Sequence, residues 1–401
     1  MSSLFELVLT FGILVLIGFP LRAVARRFKV PPAVSLMTLG AVAAAWLPAS
    51  WQDVAPYLSS GAFVVLLVRA GLGLSTEIMR RILGPALLLG ALPVAAEFSV
   101  AAVGVRWLIV DNWSYALLAG FLVAAVSPAV VLPTMLNLRD EGLGEQNRVP
   151  DRIIGQTLVN ALIAQTGILL LLGWLDPEGG RLNLWLFPLG LLIGALAGWL
   201  PRKRFASGAK ETPIKIRLRA LIALAIGVAV YFGNKHFGLE AVFATVIMAA
   251  LLGSKIGPSA VKVRRELSHL WKVAEILLFV NLGAVIDLSV LGEWTLILCL
   301  IGILVAALTL RLATAWWLQK KTSLSRDERL YVTLAHVPKA TIQAVFGVVI
   351  HQRLSGLGES EDSAAQSLLI LAVLAILTTA PAGAVLLESL AKRLLPSRRL
   401  G

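Results

Sequence analysis

The chain has 401 residues, of which 58% are hydrophobic and only 15% are charged. This composition excludes an ordinary soluble domain and indicates an all-α, polytopic membrane protein. The formal net charge of +13 would suggest nucleic acid as a partner, but single Arg and Lys residues recur in short segments between apolar runs, as membrane orientation requires. We therefore expect a lipid bilayer around the chain and no nucleic acid.

Thirteen apolar runs of spanning length follow one another along the chain. A run of about 17–25 residues crosses the hydrocarbon core as a helix. The second run is short and the boundary at Gly253–Pro258 is weak, so twelve or fourteen spans remain open. The first run has no basic segment before it and is interpreted as a retained span. The predicted spans are about 4–22, 32–48, 56–75, 82–109, 113–137, 152–175, 184–201, 217–234, 239–253, 268–287, 291–319, 328–351 and 364–390.

The basic residues give this pattern an orientation. With the N-terminus outside, the inner segments hold 29 of the 36 Lys and Arg residues, and the outer segments hold 4. The other three, Arg69, Arg311 and Lys339, lie within spans. Such an excess of inner positive charge predicts a protein of the plasma or inner membrane with a cytoplasmic C-terminus.

Two spans carry a proline near their middle, Pro128 within 127–133 and Pro338 within 337–341. Proline removes a backbone hydrogen bond and clashes with the preceding turn. In lipid, such a break survives only where protein or a water-filled cavity satisfies the freed groups. Two breaks at corresponding places in two halves indicate a transport site near the bilayer midplane.

A weak internal repeat relates these two halves. Its offset of about 210 residues corresponds to seven spans, an odd number, so the two copies have opposite membrane orientation and form an inverted repeat. The matched pairs are Pro128 with Pro338, Gly71 with Gly283, and Glu97 with Arg311.

Ionisable side chains inside the predicted spans are candidates for function because each is costly there unless paired or solvated. Glu97 and Arg311 lie in repeat-related spans and predict a core ion pair. Lys339 either neutralises the carbonyl end of a half-helix or takes part in transport, carrying a proton or holding an anion. The proton-carrier candidates are Glu275, His336 and Lys339.

Polar groups at and near the breaks are the candidate ion ligands. Asn160 and Gln165 lie five residues apart on one span and either coordinate a cation or bond a neighbouring helix. The sequence has no GxGxxG motif after a strand, no P-loop and no His/Cys cluster, so we expect neither an enzyme nor a cofactor, and no metal beyond transported Na+. The candidate ion-binding residues are Ser127, Pro128, Asn160, Gln165, Lys339 and Thr341.

Three strings resemble the monovalent cation:proton antiporters, most closely the Na+/H+ exchangers of solute carrier family 9, subfamily B. They are LVRAGLGL at 67–74, AVSPAVV at 125–131 and PKATIQA at 338–344. The resemblance covers nearly the whole chain. It implies a core with two crossed, partly unwound helices and an elevator-type movement. It also implies that Glu97 and Arg311 match a core ion pair, and that Lys339 matches the lysine beside the ion site.

The same resemblance implies a homodimer with separate core and scaffold regions. The core is expected at 56–175 and 268–395, and the dimerisation scaffold at 1–55 and 184–253. The partners it implies are a monovalent cation and a proton.

The sequence departs from this family at the ion site. Exchangers of subfamily B carry two adjacent aspartates on the sixth span, and an ungapped alignment over 149–167 places Asn160 and Ala161 on those positions. One charge pair at 4 Å is worth about 4 kcal/mol at an effective dielectric near 20. Losing both carboxylates is therefore expected to weaken cation binding.

Three functions remain open at this point. The first is antiport of Na+, Li+ or K+ against protons, with the proton carried by Glu275 or His336 together with Lys339. The second is transport of an anion or organic acid, since Lys339 is retained and two negative charges are lost. The third is a non-transporting membrane protein, either a sensor or a subunit of a larger assembly.

Overall fold

The computed structural model describes residues 2–28, 32–73, 76–175, 186–201, 212–237, 239, 241–257, 259–284, 294–354 and 359–396. These residues form fifteen α-helices, a short 3-10 helix at Ala44–Trp46 and no strand. The helices are α1 Ser2–Arg27, α2 Pro32–Ala43, α3 Ala49–Leu72, α4 Thr76–Leu108, α5 Trp113–Ala124, α6 Pro128–Asp140, α7 Val149–Leu175, α8 Leu186–Trp199, α9 Pro213–His236, α10 Val242–Ile256, α11 Ser259–Ala284, α12 Trp294–Gln319, α13 Arg326–Leu334, α14 Thr341–Leu354 and α15 Glu359–Leu394.

Most of these helices have the length and composition of membrane spans. Among the described residues, nine helical segments are long and apolar enough to cross a bilayer, with α5 and α6 taken together, and four apolar helices are shorter. Large apolar side chains such as Leu16 on α1 and Leu298 on α12 lie exposed, where lipid would cover them. The prediction of an all-α, multi-pass membrane fold is confirmed.

Contacts divide the chain into two compact units with interleaved segments. Unit 1 comprises Met1–Arg27, Ser35–Arg81 and Asn183–Ala284, and unit 2 comprises Phe28–Val34, Ile82–Leu182 and Val285–Gly401. Residues 56–81 and 268–284, which the sequence assigned to the predicted core, belong to unit 1 by their contacts. The reason is packing: α3 and α11 contact each other, and α3 also packs along α10. Which unit acts as core and which as scaffold stays a prediction.

The order of helices repeats along the chain. Helices α1 to α7 correspond to α9 to α15, with α8 between the two sets. In six of the seven pairs of described helices, the first residues lie 210–213 positions apart, as for Ala49 and Ser259. The copies therefore start seven spans apart, which agrees with the inverted repeat expected from the sequence.

Glycines at equivalent places in the repeat allow two close helix contacts in unit 1. A Cβ on Gly71 of α3 would lie 2.6 Å from Val246 O of α10, and one on Gly283 of α11 would lie 2.0 Å from Met37 O of α2. Since α2 and α10 are themselves repeat partners, these are the same contact in both copies. Small residues at these points let the backbones meet.

Unit 2 has a continuous apolar core built by α4, α5, α7, α12, α14 and α15. Phe98 of α4 and Phe121 of α5 are partly buried and pack on each other, with ring centroids 4.3 Å apart, and Phe121 packs against this core. Gly120 lies against Phe98 and Gly167 against Phe121, so each ring fills the space left by a glycine. This core surrounds the two broken helices described below.

Replacing Gly283 with alanine should destabilise unit 1, because the new methyl group would overlap Met37 O and the helix backbones would have to separate. We expect a loss of about 1–3 kcal/mol, as for other overpacked sites. Gly61→Ala on α3 is the matched control, since a Cβ there meets nothing within 4 Å. Thermal unfolding in detergent should give a lower transition temperature for Gly283→Ala alone. Equal transition temperatures for the two variants would contradict this packing argument.

Candidate functional site

Both predicted breaks lie in unit 2. Helix α5 ends at Ala124 and α6 begins at Pro128, while α13 ends at Leu334 and α14 begins at Thr341. Pro128 occupies the first turn of α6, where its missing N–H removes no helical hydrogen bond. Pro133, which the sequence included in the break, lies inside α6 and does not interrupt it.

The two breaks satisfy part of each other's backbone. Ser127 N donates to Pro338 O at 2.8 Å, and Thr341 N donates to Ser127 Oγ at 3.3 Å. The hydroxyls of Ser127 and Thr341 are also within hydrogen-bond distance, at 3.0 Å. Gly383 of α15 supports this crossing, because a Cβ there would lie 2.4 Å from the ring of Pro338. Ser127, Pro128 and Thr341 are therefore structural parts of one crossing point.

Asn160 closes the break between α5 and α6. Its Oδ1 accepts from Val126 N at 2.6 Å, and its Nδ2 donates to Ala124 O at 3.2 Å. An aspartate could accept the first hydrogen bond but has no hydrogen to donate for the second. Both ends of the Asn160 amide therefore bond the unwound backbone. The neighbouring Ala161 is buried in the apolar core.

A single carboxylate serves two buried cations beside this break. Glu97 of α4, Arg311 of α12 and Lys339 are all fully buried. Lys339 Nζ lies 2.7 Å from Glu97 Oε1, and Arg311 Nη1 donates to Glu97 Oε2. Arg311 Nη1 also donates to Ala124 O, at 2.6 Å. With all three groups ionised, this trio carries a net charge of +1.

Helix electrostatics explain why the cations lie here. The last carbonyls of a helix have no partner within it and form the negative end of its dipole. Arg311 binds that end of α5 through Ala124 O. On the other break, Thr379 of α15 accepts a hydrogen bond from Lys339 N at 3.0 Å. The end of α5 thus helps to position Arg311, and Thr379 holds the backbone at Lys339.

His336 is in contact with Arg311 and not with the carboxylate. Its Nδ1 lies 3.2 Å from Arg311 Nη2. A guanidinium only donates hydrogen bonds, so Nδ1 must be the acceptor and the imidazole is neutral with its proton on Nε2. Nε2 is buried and has no hydrogen-bond partner among the described residues. Protonating Nδ1 would place two donors face to face.

The remaining predicted residues, Glu275 and Gln165, belong to α11 and α7. Glu275 belongs to unit 1, where its Oε2 is 2.7 Å from Arg22 Nη2. It is therefore already paired, whereas the sequence left open that it neutralises Lys339. Gln165 is half-buried on α7 and is not among the partners of the two breaks.

Sequence reasoning missed two residues that bond the breaks and one that pairs with Glu275 in unit 1. Gln343 donates to two carbonyls of the first break, Thr379 accepts from the second, and Arg22 pairs with Glu275. Gln343 did carry a signal, because it is an amide inside an apolar run four residues after Lys339. Thr379 carried none, since a hydroxyl within an apolar helix usually bonds its own backbone.

The fold and this buried network define a multi-pass membrane protein with the cation/proton antiporter fold. The solved structure of "the sodium proton antiporter MjNhaP1 from Methanocaldococcus jannaschii at pH 8" superimposes with a TM-score of 0.69, covering 98% of this chain and 99% of that one. The two sequences are only 17% identical, so this likeness concerns the fold.

The chain belongs to the sodium/hydrogen exchanger family, whose transmembrane model matches residues 12–389. Sodium/hydrogen exchanger 9B1 of Homo sapiens is 30% identical over 356 residues, which cover 87% of this chain and 68% of that protein. The 9B1 protein of Macaca fascicularis is 29% identical over 357 residues, covering 86% and 68%. Sodium/hydrogen exchanger 9B2 of Homo sapiens is 29% identical over 345 residues, covering 84% and 64%. The expected resemblance to subfamily B is confirmed, and the chain spans about two thirds of these relatives.

Replacing Glu97 with glutamine should be strongly destabilising, because it leaves two buried cations without their carboxylate. Breaking a buried ion pair in this way costs about 3–5 kcal/mol. The control is Asp111→Asn, which removes the exposed carboxylate that pairs with Arg106 and should cost less than about 1 kcal/mol. Adding Lys339→Gln to the first variant should recover part of the loss in thermal unfolding. No recovery would argue against a shared carboxylate.

Proposed function

We propose that this protein exchanges a monovalent cation, Na+, Li+ or K+, for a proton across its membrane. The observation that carries the proposal is the single buried carboxylate of Glu97, which Lys339 and Arg311 share. Membership of the sodium/hydrogen exchanger family supports the same function, as do relatives named sodium/hydrogen exchangers.

The proposed exchange is a competition at Glu97 Oε1. When Lys339 is protonated, its ammonium group occupies this oxygen, and the trio carries a net charge of +1. When Lys339 releases its proton, a monovalent cation takes its place beside Glu97, and the net charge is again +1. Lysine suits this role because its ammonium group can both donate to Glu97 and give up a proton, whereas the guanidinium of Arg311 stays protonated. One cation is thus exchanged for one proton, without net movement of charge.

Neither of the other two proton-carrier candidates suits this exchange as well. Glu275 lies in unit 1 and pairs with Arg22. His336 faces Arg311, so it would gain a proton only by losing that hydrogen bond. We therefore assign the proton to Lys339 and give His336 the role of holding the guanidinium of Arg311.

Transport of an anion has less support. That function needs a cationic group that is free to contact the anion, but the ammonium group of Lys339 and the guanidinium of Arg311 both contact Glu97. A non-transporting role was suggested by the loss of both site aspartates. It loses support because Glu97 of α4 supplies a carboxylate beside the break. The contacts of Lys339 therefore favour antiport over both alternatives.

Several finer parts of the proposal follow the family resemblance and the charge pattern. We propose an elevator-type movement in which unit 2 carries the site, and a homodimer assembled through segments of unit 1. We also propose a plasma or inner membrane location with the N-terminus outside and the C-terminus in the cytoplasm. The excess of Lys and Arg in alternate connecting segments supports this orientation.

Lys339→Gln should abolish proton flux driven by a cation gradient, because glutamine has no proton to exchange. Reconstitution into liposomes with a pH-sensitive dye measures this flux under Na+, Li+ and K+ gradients between pH 6 and 9. Lys272→Gln, on an exposed position of α11, is the matched control and should keep the wild-type flux. Absence of cation-dependent flux in the wild type would refute antiport. Persistent flux in Lys339→Gln would show that a residue other than Lys339 carries the proton.

Asn160→Asp should raise cation affinity while lowering stability. The new carboxylate loses the hydrogen bond to Ala124 O, which is worth about 0.5–1.5 kcal/mol because that oxygen keeps its hydrogen bond from Arg311. It also adds a negative charge next to Ala124 O, which accepts a hydrogen bond from Arg311. We expect the KM for Na+ to fall about tenfold, equivalent to ~1.4 kcal/mol. Transport assays and thermal unfolding together test the two halves of this prediction. An unchanged KM would mean that cargo does not approach Asn160.

A further inference from the structure

Gln343 joins the two broken helices through its side-chain amide. It lies in the first turn of α14 and is fully buried. Its Nε2 donates to Leu122 O and to Ala125 O, both at 2.8 Å. These are carbonyls at the end of α5 and in the unwound stretch after it, so they have no partner within a helix. The amide of Gln343 therefore covers two of the oxygens that the break exposes.

These carbonyls belong to the same cluster of oxygens as the charged trio. Ala124 O lies between them in the chain and accepts from both Arg311 and Asn160. The nitrogen of Arg311 that reaches Ala124 O also reaches Glu97. A cation beside Glu97 would therefore lie near the negative end of the α5 half-helix, where main-chain carbonyls are natural ligands.

The other end of the Gln343 amide is an open acceptor. Its Oε1 is buried and has no hydrogen-bond partner in the part of the chain that the structure describes. Reversing the amide would set Oε1 against two carbonyl oxygens, so the two hydrogen bonds fix which end is which. Gln343 also lines a cavity of about 10 Å³, otherwise formed by apolar side chains of α14 and α15, which is about the space that one water needs.

We propose that Gln343 determines which monovalent cation the protein carries; this rests on the antiport proposed above. Its Nε2 occupies Leu122 O and Ala125 O, so these carbonyls cannot bind the cargo. Its neutral Oε1 is left to serve as a ligand in their place. Selectivity among monovalent cations depends on the number and field strength of such oxygen ligands. Gln343 is thus a positioning residue for the α5 carbonyls and, through Oε1, a candidate ligand. It is not a member of the charged trio.

The test compares Gln343→Met with Gln319→Met. Methionine keeps the length of glutamine but removes both hydrogen-bond donors and the open oxygen. Gln319 is a close match because it is also fully buried, its Nε2 also makes two hydrogen bonds, and its Oε1 is also without a partner among the described residues. It lies at the end of α12, however, and bonds Ala315 O and Thr333 Oγ1 instead of the break.

Proton flux in liposomes under Na+ or K+ gradients gives the KM ratio for the two cations. Freeing two carbonyls adds ligands and should favour the larger cation, so we expect Gln343→Met to shift this ratio about tenfold towards K+. Gln319→Met should lower thermal stability to a similar extent and leave the ratio within about twofold of the wild type. Stabilisation of detergent-solubilised protein by Na+ and K+ provides a second measure of preference that does not need transport.

The outcomes separate the two proposals. Wild-type flux together with an unchanged ratio in Gln343→Met overturns the selectivity role and leaves antiport standing. An equal shift in Gln319→Met overturns it as well, because a general packing defect would then suffice. Absence of wild-type flux refutes antiport. In that case the stabilisation by Na+ relative to K+, compared between the wild type and Gln343→Met, tests whether Gln343 sets the cation preference. No difference between Na+ and K+ in either measurement counts against the selectivity role.

Discussion

The site depends on one carboxylate held between two cations in the interior of unit 2. Burying each ion costs several kcal/mol, and the attraction between them repays this only where hydrogen bonds satisfy what remains. Glu97 meets that condition by giving one oxygen to Lys339 and the other to Arg311. The three residues come from α4, from α12 and from the break before α14. The trio therefore fixes the break relative to helices from both copies of the repeat.

The broken backbone imposes a second constraint, which explains the residue at position 160. Opening a helix at 125–127 exposes carbonyls on one side and N–H groups on the other. The amide of Asn160 bonds one group on each side, Ala124 O and Val126 N. Gln343 and Arg311 also donate hydrogen bonds to carbonyls at this break. An aspartate would serve only the N–H side. The amide lacks the charge of an aspartate but bonds both sides of the break, and Glu97 is then the carboxylate left to face the cations.

The sequence was informative about features that depend on local chemistry. Span lengths follow from apolar runs, the breaks from Pro128 and Pro338, and the repeat from evenly offset pairs such as Glu97 and Arg311. Distances between helices do not follow from such patterns. Lys339 was therefore considered with Glu275, which instead pairs with Arg22. The bonds of Gln343 were equally hidden, because they cross more than 200 residues of chain.

A site with one exchangeable oxygen has consequences for coupling. In the proposed exchange, the site carries a net charge of +1 whether Glu97 Oε1 faces the ammonium group of Lys339 or a transported cation beside neutral Lys339, so both loaded forms present the same charge to the membrane. The form in which Lys339 is neutral and no cation is bound is different. Its charge is zero, but Glu97 Oε1 would then lack its ionic partner in a fully buried place, and an unsatisfied buried acceptor is costly. That penalty disfavours the empty form and opposes movement without cargo. In this way the desolvation of a single oxygen would link proton release to cation uptake, although Asn160 and Ala161 stand where the resemblance led us to expect two aspartates.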